Sequence, residues 1–114
     1  MFADYRVPQI LHHLRLLTYS PALVRLLESR TELPGSGAAA TREEVAIRAA
    51  SIVAVERVAA ALCADGRAGK GVCSVLVDFF LWDLAKRIEA GEDRVEGIKT
   101  QPMLPAHRIR CIWY

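Results

Sequence analysis

Two aspartates interrupt an otherwise apolar stretch, VLVDFFLWDLA at 75–85. An unpaired buried carboxylate costs several kcal/mol, so Asp78 and Asp83 must be paired, neutralised or turned toward a pocket. Asp78 and Trp82 share a helix face, whereas Asp83 lies about 140° round the helix from Asp78. The acids could flank a groove where rings stack on a planar ligand and a carboxylate accepts its N–H groups. The alternative is an ion pair with an arginine, such as Arg6, Arg48, Arg108 or Arg110.

A third acid stands among aromatic residues at the start of the chain. The segment FADYR at 2–6 places Asp4 between Phe2 and Tyr5, just before a predicted helix. Its composition alone leaves both a functional and a purely structural role open.

Other candidate motifs fail on spacing. The turn GRAGKG at 66–71 has no preceding strand and no Ser or Thr after Lys70, which a phosphate-binding loop requires. His12 and His13 are adjacent, so they point to different helix faces and cannot hold one metal ion together, and His107 stands alone. We therefore expect structural histidines, with no metal and no cofactor.

Composition limits the class of protein. The chain has 114 residues, of which 53% are hydrophobic and 25% charged, with a net charge of +2. These values predict one globular domain over 1–114 that binds neither nucleic acid nor membrane. Its three cysteines, Cys63, Cys73 and Cys111, form no CxxC pair, which favours a reduced, cytoplasmic protein. No signal peptide or membrane-spanning stretch is expected.

Helix signals dominate the chain. Ser20 and Thr41 are candidate caps, and Glu44 completes a capping box by reaching back to Thr41. Ser74 is a third candidate cap, and Gly91 ends the last helix. The spacing predicts an all-α domain with four main helices, a loop at 31–40 and an extended C-terminal tail whose end, 109–114, could form a strand. The predicted helices cover 8–18, 21–29, 42–63 and 75–90.

Five stretches of the chain resemble, in order, the queuosine 5′-phosphate N-glycosidase/hydrolase family, also called queuosine salvage proteins. The resemblance covers nearly the whole chain and departs from the family at Ala46, where the family pattern has a glutamate, and at the glycine-rich turn. The stretches are MFADYRVPQILHHL (1–14), YSPALVRLL (19–27), REEVAIRAASIVAVE (42–56), SVLVDFFLWDLAKR (74–87) and HRIRCIWY (107–114).

The resemblance implies a fold related to helical DNA glycosylases. It also implies release of the base queuine from queuosine 5′-phosphate, a small-molecule nucleotide, with water as acceptor and without a metal. Asp4 matches the family's catalytic aspartate. Phe2, Asp78 and Asp83 match residues that contact the substrate, and Trp82 could stack on the base.

This reaction suits those residue types. Cleaving an N-glycosidic bond builds positive charge on the sugar, which a carboxylate such as Asp4 can stabilise or attack. Queuine is a 7-deazaguanine and lacks the N7 that an acid would protonate in guanine, so recognition of the base matters more. Asp78 or Asp83 could accept its adjacent N–H groups, and the cationic amine of queuine also favours an acidic pocket.

The length of the chain limits how much of the family's activity we expect from it. Family members are considerably longer, and Met1 corresponds to an internal methionine of their pattern. We therefore expect a C-terminal portion that cleaves poorly alone, with its oligomeric state open. One alternative is a non-catalytic helical module that binds a base or a partner. Another, DNA glycosylase activity, is disfavoured by the near-neutral charge, because duplex binding normally needs a basic face.

Overall fold

The computed structural model describes residues 1–2, 4–36, 41–66, 71–92 and 94–110. The described part of the chain contains four helices and two short strands joined by loops. This confirms the predicted all-α class with four main helices. The helices are α1 (Arg6–His13), α2 (Pro21–Glu28), α3 (Arg42–Asp65) and α4 (Ser74–Glu89), and the strands are β1 (Glu32–Ser36) and β2 (Arg108–Arg110).

Helix α1 is shorter than its apolar spacing predicts, since it ends at His13 rather than near Thr18. Arg15 adopts a left-handed conformation with φ of 64°. The Arg15 amide donates to the carbonyl of His12 at 2.9 Å, and the Leu16 amide donates to that of Leu11 at 2.8 Å. These two bonds form the usual helix-ending motif, although the left-handed position normally belongs to glycine.

The predicted caps of α2 and α3 are confirmed. The Ser20 hydroxyl accepts from the Leu23 amide at 3.2 Å, and the Thr41 hydroxyl accepts from the Glu44 amide at 3.2 Å. The sequence predicts that the Glu44 side chain reaches back to Thr41. In the structure the Glu44 carboxylate instead accepts hydrogen bonds from the Arg48 guanidinium at 2.8 and 2.9 Å. Glu44 therefore stabilises the first turn of α3 through a pair with the next turn.

Helix α4 starts one residue earlier than predicted and ends near its expected stop. Ser74 is its first residue and not its cap; Cys73 holds the cap position without a side-chain hydrogen bond. After Ala90, Gly91 adopts φ of 73°. The amides of Gly91 and Glu92 donate back to carbonyls in the last turn at 3.0 and 2.9 Å, which closes the helix.

A small parallel strand pair corrects the prediction of a loop at 31–40. Glu32 of β1 pairs with Arg108 of β2, and Ser36 pairs with Arg110, with an irregularity between them. Because Pro34 and Gly35 are typical of turns, the sequence pattern does not indicate a strand at β1. The strand predicted at 109–114 is found as far as residue 110, and residues 111–114 lie outside the described part. The predicted turn at 66–71 likewise includes undescribed residues 67–70.

The hydrophobic core forms where α1 packs against α3 and α4. Val7, Ile10 and Leu11 of α1 are fully buried, against Val55 of α3 and Ala85 of α4. Because α1 directly follows residues 2–5, the most deeply packed helix of the fold fixes the position of the FADYR segment.

Polar contacts anchor the connecting loops to α1. The Gln9 amide group donates to the carbonyl of Leu104 at 2.9 Å. The Tyr19 hydroxyl donates to the carbonyl of Pro8 at 3.1 Å, and its ring stacks on His12 with centroids 4.5 Å apart. These bonds give the Gln9 amide nitrogen and the Tyr19 hydroxyl a partner for the water that each lost on burial.

Two further features bear on the class of protein. Within the described ranges, the helices are too short or too polar to cross a membrane. Cys63 and Cys73 are exposed free thiols, and Cys111 lies outside the described residues.

We expect Arg15→Gly to stabilise the fold by about 1 kcal/mol, because glycine adopts the left-handed conformation without the penalty that a β-carbon carries. Arg57→Gly, in the interior of α3, is the control and should cost about 1 kcal/mol. Urea unfolding measures both. Equal losses of stability in the two variants would contradict the account of how α1 ends.

Candidate active site

Asp4 caps the first turn of α1. Its Oδ1 atom accepts hydrogen bonds from the backbone amides of Arg6 and Val7 at 2.9 and 3.0 Å. These donors lie two and three residues further along the chain, the spacing of a helix-capping aspartate. Two backbone bonds therefore fix the orientation of this carboxylate.

Asp78 holds the chain just before Asp4. Its Oδ2 atom accepts from the Phe2 amide at 2.8 Å, across 76 residues of sequence. Asp78 is only 4% exposed, and this burial raises the pKa of its carboxyl group, as the nearby Asp4 also does, while the Phe2 bond lowers it. The buried acid that the sequence singled out on α4 thus contacts the backbone of the FADYR segment directly.

Arg6 holds the chain just after Asp4. Its guanidinium forms an ion pair with Glu89 near the end of α4. It also lies over the rings of Tyr5 and Trp82, 5.4 and 5.8 Å from their centroids. Asp78 and Glu89 are about three turns apart on α4. The segment that carries Asp4 is therefore attached to one helix on both sides.

Trp82 and Asp83 lie on the exposed side of α4. The ammonium group of Lys86 is 4.6 Å from the Trp82 ring centroid, so the ring is close to two cations. Among the described side chains, Asp83 forms an exposed ion pair with Arg87 at 3.1 Å, one helical turn away, and not with any of the four arginines expected from the sequence. The structure thus brings Phe2, Asp4 and Asp78 together and places Asp83 apart from them.

His107 is a buried side chain whose charge environment includes Asp4. Burial lowers the pKa of its imidazole, as does Arg48, whereas Glu44 and Asp4 raise it. A neutral imidazole is therefore favoured, and its burial agrees with the structural role expected from the sequence.

An open cleft of about 750 Å³ adjoins this region. Its lining includes Tyr5, Gln9, Glu89 and His107 but not Asp4, so the cleft reaches the FADYR segment at Tyr5. Glu89 and Gln9 could not be identified from the sequence, because their partners are 83 and 95 residues away along the chain and no local pattern marks them.

The described residues contain no group of three or more His, Cys, Asp or Glu side chains that could hold a metal ion. The chemistry that this region can perform is that of an oriented carboxylate beside exposed aromatic rings.

Comparison with known proteins assigns the chain to a family. A family model described as queuosine salvage protein matches residues 1–114. A relative from Sphaerobacter thermophilus, named queuosine 5′-phosphate N-glycosylase/hydrolase, is 44% identical over 99% of this chain and 29% of its own length. Proteins of the same name from Mus musculus and Schizosaccharomyces pombe are 40% and 37% identical over the whole chain.

The chain spans only 31% and 30% of those last two relatives. Its match therefore covers less than a third of the length of each of the three proteins. Within that span the match runs from the FADYR segment through α4 to the C-terminal residues, the parts from which the site described above is built. The chain belongs to the queuosine salvage protein family.

Proposed function

We propose that this chain supplies the catalytic carboxylate of an enzyme that hydrolyses the N-glycosidic bond of queuosine 5′-phosphate and releases queuine. The observation that carries the proposal is Asp4, a carboxylate fixed by two backbone amides at the start of a buried helix. The name shared by the relatives supports the substrate.

The geometry suits the charge that develops in this reaction. One oxygen of Asp4 is held by two amides, and no hydrogen bond to its other oxygen occurs among the described residues. That second oxygen can face the anomeric carbon and stabilise the oxocarbenium-like transition state or attack it. Because the helix fixes the carboxylate before substrate arrives, little reorganisation is needed during the reaction.

Recognition of the base is assigned to accessible side chains of the FADYR segment and of α4. Phe2 is 71% exposed while its amide is tied to Asp78, so its ring is available for stacking on a planar base. Trp82 offers a second ring, and Asp83 on the same helix can attract the cationic amine of queuine. The proposed substrate is a free cytoplasmic nucleotide and not a nucleic acid, consistent with the small net charge.

Asp78 has a positioning role in this proposal in addition to any contact with the base. Its Oδ2 already accepts from Phe2, so at most part of the carboxylate remains for a ligand. By holding Phe2, Asp78 sets the distance between the stacking ring and Asp4.

A second candidate function is a non-catalytic binding module. The observation that favours it is the set of exposed apolar side chains on α3 and α4, which suits association with another polypeptide. Hydrolysis separates the two proposals, because only the first requires release of queuine.

The activity test uses a chimera in which this chain replaces the matching segment of the Sphaerobacter thermophilus relative. We expect Asp4→Asn to lower the rate of queuine release from queuosine 5′-phosphate by at least about 100-fold. Asparagine caps helices as well as aspartate does, so α1 should persist and the loss should reflect lost charge. Circular dichroism controls for folding. Full turnover in the variant would remove Asp4 from the catalytic role.

The isolated chain provides a further comparison. We expect it to release queuine far more slowly than the chimera does, because it has less than a third of the relatives' length. Ordinary enzymatic turnover by the chain alone would contradict this expectation.

Asp78 predicts a pH dependence of stability. Because its folded-state pKa is raised above the usual 3.8, the folded chain holds this proton more tightly than the unfolded chain. The stability it contributes is present below the usual pKa and is lost as pH rises through the raised value. We therefore expect Asp78→Asn to gain stability relative to wild type as the pH rises above the usual pKa of 3.8, as measured by urea unfolding.

Asp78→Ala is the matched control for that experiment. It should show the same pH trend but be less stable than Asp78→Asn by about 1 kcal/mol, because the Phe2 amide loses its acceptor. A stability difference between wild type and Asp78→Asn that does not change with pH would show that burial of this carboxyl group is unimportant.

A further inference from the structure

The N-terminal half of α4 is apolar on its outward face as well as on its core face. Leu81 points into the core, whereas Phe79 and Phe80 on the other side are 60% and 59% exposed. Val75 and Leu76 extend this exposed face toward the start of the helix. The charged Asp83, Lys86 and Arg87 occur only further along α4, so the apolar face ends there.

Helix α3 has the same two-sided character. Ile47, Val55 and Ala59 face the core, while Val45, Ile52 and Val53 are exposed on the outward side. Several small residues complete that outward side and allow close approach of another backbone: Ala46, Ala49, Ala50, Ala60 and Ala61. The charged Glu56 and Arg57 are also exposed on this helix, so its outward face is mostly but not wholly apolar. An exposed apolar patch of this kind is typical of a surface that another polypeptide covers.

An apolar groove borders the exposed side of α3. It has a volume of about 660 Å³ and lies between α3 and the turn that follows α1, with Leu16, Leu17, Val53 and Val58 in its lining. Arg57 also lines the groove, whose other lining residues are all apolar.

The length of the relatives identifies what would cover these faces. The chain covers 29% to 32% of the length of the six matching relatives. The unmatched part of each relative is therefore more than twice as long as the matched part. That additional polypeptide must pack somewhere. The two outward faces, on helices that pack against each other, offer an apolar area suited to burial.

We propose that the outward faces of α3 and of the N-terminal half of α4 form a docking surface for the polypeptide that corresponds to the remaining length of the relatives. The exposed Phe2 is bonded through its amide to Asp78 in the same half of α4. The docked polypeptide would thereby form a second wall beside Asp4. This inference does not rest on the proposed hydrolysis.

The test introduces one charge at the docking surface in two contexts. Ile52→Asp on α3 and Phe80→Asp on α4 are made in the isolated chain and in the chimera, with Ile98→Asp as the control. Ile98 is also an exposed large apolar side chain, but it lies in the loop between α4 and β2. Thermal unfolding and sedimentation measure stability and association without reference to activity.

We expect each helix variant to lower the unfolding midpoint of the chimera by about 10 °C, because the new carboxylate would be buried there. In the isolated chain the same variants should change the midpoint little, and Ile98→Asp should have little effect in either context. Equal, small effects in chain and chimera would overturn the proposal. It would also be overturned by a wild-type chimera that fails to fold, or by a stable dimer of the chain that only the helix variants disrupt.

Discussion

The attachment of residues 2–6 to α4 is the constraint on which the rest of this site depends. The Phe2 amide binds Asp78 and the Arg6 guanidinium binds Glu89, so the chain on either side of Asp4 is fixed to one helix. This arrangement explains why α4 carries a buried acid within an apolar run: the acid satisfies a backbone donor of a distant segment. It also explains why the Arg6 side chain crosses the Trp82 ring.

Asp4 links the fold to the proposed chemistry. As a cap it satisfies two amides at the start of α1, and α1 contributes the fully buried Val7, Ile10 and Leu11 to the core. The orientation of the carboxylate therefore depends on the best-packed helix of the chain. A carboxylate held in this way suits electrostatic stabilisation of a developing charge, which relies on groups already in place.

Much of the fold could be predicted from local sequence signals. Ser20 and Thr41 mark helix starts and Gly91 marks a helix end, because capping depends on residues close together in sequence. The end of α1 could not be predicted, since Arg15 adopts a conformation that glycine usually takes. Strand β1 was also missed, because its partner lies more than 70 residues away and its own composition indicates a turn.

The site was predicted less completely than the fold. The sequence identified Asp78 as a buried acid that needs a partner, yet the partner is a backbone amide, which no residue pattern records. Glu89 went unnoticed for a similar reason, because its contact with Arg6 exists only in three dimensions. The proposed role of Asp4 comes from resemblance to a family, and its capping geometry adds a physical reason for its fixed position.

Amide hydrogen exchange tests the attachment of the FADYR segment most directly. In the chain as it stands, the Phe2, Arg6 and Val7 amides should exchange well below the rate of an unfolded peptide, as measured by NMR. In Asp78→Ala the Phe2 amide should lose this protection while the core amides of α1 keep theirs. A Phe2 amide that already exchanges at the unfolded rate in the wild-type chain would contradict the account.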